Sequence, residues 1–151
     1  MMTAASRARR LARSAATWLS LPSAERRLYG RAWWELLVCR LRLRHARRMP
    51  ASGLVARAWT EEPGDGAPAP GPLLELFNRA AREHALGMSC LPRALALQRL
   101  LRREGVPATL RLGMRRAGGA LEGHAWLEAG GILVNDRPGF VSGFASLHKT
   151  L

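Results

Sequence analysis

Residues 84–105 read HALGMSCLPRALALQRLLRREG, and the way this stretch folds decides the rest of the chain. Ser89 carries the side chain of a helix N-cap. Pro92 suits a first helical turn, where its missing N–H has no intrahelical partner to lose. Arg102 and Arg103 match the negative C-terminal end of a helix, and Gly105 is a natural stop. The stretch thus predicts a helix that opens beside Cys90. The free N–H groups and positive dipole end at such a place stabilise a thiolate, and the same N–H groups can receive an oxyanion. A cysteine there is either a small buried hydrophobe or a nucleophile, and its position alone leaves both open.

Downstream, the apolar spacing switches from near four to two. TLRLGMRR sets Leu110, Leu112 and Met114 against Arg111, Gly113 and Arg115. HAWLE and ILVND are two further short strands around AGG. Helices followed by an antiparallel meander is the order of an α+β fold, with the Cys90 helix packed on a small antiparallel sheet. If Ala129, Gly130 and Gly131 form a three-residue hairpin loop, Glu128 pairs with Ile132, Trp126 with Val134 and His124 with Asp136. Paired residues share a face, so the Asp136 carboxylate would hold one imidazole nitrogen of His124 and leave the other as a base. A two-residue loop would shift the register by one and divide the pair between the two faces. Trp126 shares the His124 face and either walls a cleft or simply packs. Glu128, near the turn, reads as solvated, and Arg93 as a surface arginine.

Upstream, residues Leu73 to Leu86 predict a helix with Leu73, Phe77, Ala80, Ala81 and His84 on one face and Gly87 as its stop. EEPGDGAPAPGP (61–72), with four prolines and three glycines, reads as a linker or loop. Residues 1–60 read as a basic helical region. Its helix starts at Ser23, carries Glu25 in the first turn, and runs towards Pro50. Tyr29, Trp33, Leu37 and Leu41, with Leu36, form its expected apolar stripe, and Cys39 packs among them. The organisation is then 1–60, a 61–72 connection, and a core over 73–151, in one packed unit.

The chain has 151 residues and a formal net charge of +13, of which residues 1–60 hold +11. A basic half suits nucleic acid, an anionic membrane or an acidic protein, or is simply a solvated helical face. No nucleic-acid motif accompanies it, so no nucleic-acid partner is expected. Arg44, Arg47 and Arg48 are candidates for docking an acidic partner. Two cysteines without a C-x-x-C pair, and four scattered histidines, point away from a disulfide framework and a metal site. No cofactor is expected. No apolar run reaches the length of a membrane span, and Arg13, Ser14 and Thr17 interrupt the only N-terminal stretch resembling a signal peptide. A reduced cytoplasmic protein is the expectation.

A cysteine on a helix start, followed by a histidine and an aspartate on strands, is the chain order of papain-like and transglutaminase-like acyl-transfer enzymes. The wording SCLPRALALQRLLRREGVPATLRLGMRR, then GHAWLEAGGILVND, resembles the transglutaminase-like cysteine leader peptidases of lasso-peptide biosynthesis, in their stand-alone form. The resemblance covers residues 73–147 strongly and 20–48 more loosely. It implies a papain/transglutaminase-like core, with Cys90 as nucleophile, His124 as general base and Asp136 orienting the histidine. It also implies an endopeptidase that cuts the leader from a ribosomally made precursor. Its partners would be a separate leader-binding protein and an ATP-dependent macrolactam cyclase. Non-proteolytic acyl transfer and a basic, non-catalytic binding module are the alternatives.

Overall fold

A computed structural model describes residues 3–46 and 71–147. They form helices α1 (Ala4–Ser20), α2 (Ser23–Ala46), α3 (Gly71–Glu83) and α4 (Cys90–Arg103). Strands β1 (Thr109–Ala117), β2 (Ala120–Ala129) and β3 (Ile132–Leu133) follow, then a one-turn helix α5 (Pro138–Val141) and strand β4 (Ala145–Ser146). The sheet is antiparallel throughout, in the order β3-β2-β1-β4. The architecture is α+β, with α4 packed on one side of a small sheet and the short α5 on the other.

The expected 61–72 linker runs two residues too far. α3 begins at Gly71 with Pro72 in its first turn, a place where proline loses no hydrogen bond. The remainder of 61–72 lies outside the described residues. α3 also ends sooner than periodicity suggests. After Glu83 the chain turns, Gly87 takes φ +61° and donates its N–H to the His84 carbonyl, and His84 is fully buried beyond the helix end.

The buried stripe of α2 is Tyr29, Ala32, Leu36 and Cys39: the expected Tyr29, Leu36 and Cys39 hold, Ala32 joins them, and Trp33 packs against the cluster only partly buried. A strict four-residue step advances further than a 3.6-residue turn and drifts round the helix, whereas alternating steps of three and four stay on one line. Leu41 accordingly ends up exposed. The stripe joins Leu73, Phe77 and Ala80 of α3, Leu97, Leu100 and Leu101 of α4, and Leu110, Ala125 and Leu127 of the sheet in one apolar cluster.

Polar ties fix the helices around that cluster. Glu35 of α2 is 2% exposed and pairs with Arg99 at 2.7 Å and Arg103 at 2.8 Å, both on α4. The Tyr29 hydroxyl donates to Glu83 at 2.7 Å and lies 2.9 Å from Ser14 Oγ, linking α1, α2 and α3. Burial, ahead of the Glu83 contact, pushes the Tyr29 phenol up to about 12. Cys39 is buried as expected, and that burial pushes its thiol up to about 11, which makes it an unreactive packing group.

Both hairpins turn on a glycine pair. Gly118 and Gly119 (φ +54° and +83°) join β1 to β2, and Gly130 and Gly131 (φ +55° and +74°) join β2 to β3. Positive φ at both central residues is what a two-residue loop matched to strand twist requires. The β2–β3 register is therefore Ala129 to Ile132 and Glu128 to Leu133, one step from the predicted pairing.

Candidate functional site

Alternation along β2 turns Ala125 and Leu127 to the helices and His124, Trp126 and Glu128 to the other face. With a two-residue loop, a continued β3 would have carried Asp136 away from His124. The expectation failed because the ladder stops. Val134 N–H still donates to the Leu127 carbonyl at 3.0 Å, but the Leu127 N–H goes to Asn135 Oδ1 at 2.8 Å. The amide side chain takes the place of the next main-chain acceptor, and the main chain leaves the sheet. Outside the ladder, Asp136 swings back: its Oδ2 lies 2.5 Å from His124 Nε2. Its Oδ1 accepts the Arg137 N–H at 2.9 Å, so the carboxylate is held at both oxygens. The predicted His124–Asp136 pair forms, then, by a route that the predicted register did not contain.

The imidazole is boxed by rings. Phe140 meets it edge-on with centroids 5.0 Å apart, Phe144 lies at 5.2 Å, and Trp126 is stacked at 6.2 Å. Trp126 stands on the predicted face but is only 3% exposed, so it backs the histidine. Its Nε1 donates to Glu128 at 3.1 Å, and Glu128 pairs with Arg111 at 2.9 Å, which makes Glu128 a partnered, half-buried group and not a solvated one. Arg115 lies over both phenylalanine rings, with its guanidinium carbon 5.0 and 4.4 Å from their centroids. These contacts fix the ring plane and, with Nε2 committed to Asp136, leave Nδ1 as the nitrogen for a further partner.

Cys90 is the first residue of α4, half-buried, with Ser89 at the N-cap position. The Ser89 hydroxyl makes no capping bond, so the first-turn N–H groups beside Cys90 have no side-chain acceptor from the cap. Among the described residues the Cys90 thiol makes no hydrogen bond, and the structure does not join it directly to His124. What links them is Arg93, one turn along α4. Its Nη2 donates to Asn78 Oδ1 at 2.9 Å and to the Asn135 carbonyl at 3.2 Å, tying α4 to the loop that delivers Asp136. Burial pushes the Arg93 guanidinium down, while the negative charge of Asp136 and the nearby Cys90 oppose that shift. Arg93 is thus a half-buried brace, not the surface arginine expected. A cavity of about 550 Å³ opens beside it, bordered by Asn78, Asn135, Asp136 and Phe140.

A family model described as the transglutaminase-like superfamily matches residues 33–149, from the middle of α2 past β4. The chain belongs to the transglutaminase-like superfamily. Membership goes with cysteine-based chemistry, either proteolysis or acyl transfer, and the α+β architecture agrees with a transglutaminase-like core. No curated protein and no solved structure matches the chain.

Sequence reasoning missed Asn135, Phe140, Phe144 and the bracing role of Arg93. The run NDRPGF held a signal for the first of these: an Asn–Asp pair before Pro-Gly is turn chemistry, and an Asn side chain there competes for a backbone partner. Upstream of Cys90, His84 is fully buried and Asn78 is engaged by Arg93. Among the described residues no group of three or more His, Cys, Asp or Glu could hold a metal, and no helix is long and apolar enough to cross a membrane. Of the suggested docking arginines, Arg44 is exposed, and Arg47 and Arg48 lie outside the described residues.

Proposed function

We propose that this protein is a cysteine endopeptidase of the leader-removing kind, acting on a lasso-peptide precursor, with Cys90 as nucleophile, His124 as base and Asp136 as the group that orients it. The observation that carries the reading is the imidazole held by Asp136 and boxed by aromatic rings, on the strand against which the Cys90 helix packs. Catalytic hydrogen bonds are often long in the absence of substrate and tighten when it binds, and the reading requires Cys90 and His124 to meet in the substrate complex.

In this scheme Cys90 Sγ attacks the scissile carbonyl and its proton passes to His124 Nδ1. The oxyanion accepts the Cys90 main-chain N–H. Collapse breaks the C–N bond, and His124 returns the proton to the departing amine, the new N-terminus of the core peptide. Water then adds to the leader thioester and releases leader acid and the thiol. A separate leader-binding protein would deliver the precursor, and an ATP-dependent cyclase would use the freed amine. If an amine replaces water in the last step, the same residues perform acyl transfer.

The test is incubation of a synthetic precursor peptide, with and without a leader-binding protein, followed by mass spectrometry. The reading expects free leader acid plus core amine from the native protein and none from Cys90→Ala. A new amide would favour transfer. Cleavage that survives Cys90→Ala would remove the proposal.

A further inference from the structure

A second cavity, of about 680 Å³, also borders Arg93 and is lined by Arg10, Arg40, Arg82, Arg93 and Ser89. Four helices thus contribute one arginine each, and no carboxylate lines the space. Among the described residues none of the four makes an ion pair with an acid, although Glu35, Glu83, Glu122 and Glu128 are all paired with basic groups elsewhere. The arginines are also partly organised. Arg10 Nη1 donates to the Arg82 carbonyl at 2.7 Å, and Arg93 is held by Asn78 and Asn135 while its Nε is buried without a partner. Arg10, Arg40 and Arg93 are half-buried, which limits their solvation. Like charges gathered in a recess repel one another, and an anion relieves that repulsion.

We propose that this cavity binds the carboxylate of an acidic residue in the peptide substrate, next to the bond being cut. Ser89 lines the cavity and Cys90 follows it directly, so an extended peptide crossing Cys90 places a neighbouring side chain there. The guanidinium fork matches a carboxylate in two-point fashion. The volume is in the range of pockets that enclose a ligand group, and no aromatic side chain lines it to stack a nucleic-acid base. The inference gives a substrate class to the site proposed above and rests on Cys90 being its nucleophile. Of the basic residues of α2 it involves Arg40 alone.

The experiment is fluorescence anisotropy on the Cys90→Ala protein, which separates binding from cleavage. The probes are a labelled peptide with Asp and Glu residues, the same peptide with Asn and Gln, and a single-stranded oligonucleotide. The acidic peptide should bind about tenfold more tightly than its amide twin, as one charged hydrogen-bonded contact implies. The Arg40→Gln/Arg82→Gln double variant should erase that difference. Equal binding of the two peptides, an unchanged preference in the double variant, or tighter binding of the oligonucleotide would each overturn the inference. Cleavage of precursor without any acidic preference would leave the peptidase reading standing and this one fallen. Charge-selective binding without cleavage by the native protein would keep the carboxylate site but remove both the peptidase reading and the placement of that site beside a scissile bond.

Discussion

Replacing Gly113 with alanine tests how tightly the histidine box is built. Gly113 lies opposite His124 across β1 and β2. A Cβ built there would stand 2.8 Å from Trp126 Cη2 and Cζ3 and 2.9 Å from Phe144 Cβ. Carbon atoms prefer about 3.5–4.0 Å, so all three contacts are repulsive. None of them gives easily: Trp126 is pinned through Nε1 to Glu128, and Phe144 Cβ is fixed to its own main chain. Overpacking of this kind costs about 1–3 kcal/mol, and three rigid contacts put the substitution near the upper end. Alanine recovers roughly 0.5–1 kcal/mol that glycine loses in a strand, which leaves a net loss of about 2 kcal/mol. With a urea slope of about 2 kcal/mol/M, the midpoint should fall by about 1 M with the slope unchanged. Because Trp126 and Phe144 both flank the imidazole, peptide cleavage should decline as well. An unchanged or higher midpoint would refute the packing argument.

Three further outcomes follow from the ties around the site. Glu35→Ala strands two arginines that hold α2 to α4; because both are partly exposed, the loss should sit near or below the low end of the buried-pair range, about 2–3 kcal/mol, and a melting temperature within about 2 °C of the native value would contradict it. Asn135→Ala leaves the buried Leu127 N–H without an acceptor, a loss of about 1–3 kcal/mol, and hydrogen exchange at that amide should accelerate; retained protection would contradict it. His84 is buried against Trp33, and burial pushes its imidazole down to about 4 from its ordinary 6.5. The unfolded chain therefore takes up a proton that the folded chain refuses between those values. Stability from this group is complete above pH 6.5 and falls by about 1.4 kcal/mol per pH unit down to pH 4, roughly 3 kcal/mol in all. His84→Gln should flatten that part of the urea midpoint profile, and parallel profiles would contradict the assignment.

The helices around the site were legible in the sequence because their signals are local. Ser89, Pro92 and Gly105 bound α4, and Gly87 marks where the preceding segment turns. The partnership of His124 with Asp136 was legible too, but the reason given for it was not. Register depended on whether Ala129 belongs to the loop or to the strand, and alternation cannot decide that when the next residues are two glycines. The loss of the ladder at Asn135 is a tertiary event: a side-chain amide outcompetes a main-chain carbonyl for the Leu127 N–H. The role of Arg93 was hidden for a similar reason, since its partners Asn78 and Asn135 are 15 and 42 residues away in the chain. Phe140 and Phe144 follow a Pro-Gly turn, and only the fold brings them onto the imidazole.

In the proposed function Cys90 is a nucleophile whose reactivity depends on His124. Iodoacetamide alkylation near neutral pH, read by peptide mass spectrometry in the native protein and in His124→Ala, tests it most directly. Modification is expected at Cys90 with Cys39 untouched, since Cys39 is 2% exposed and its thiol is pushed up to about 11. Removing His124 should slow the Cys90 reaction by about tenfold or more, given that a positioned base contributes roughly 10²–10⁴ in catalysis. Equal Cys90 rates in the two proteins, or preferential reaction at Cys39, would contradict the proposal.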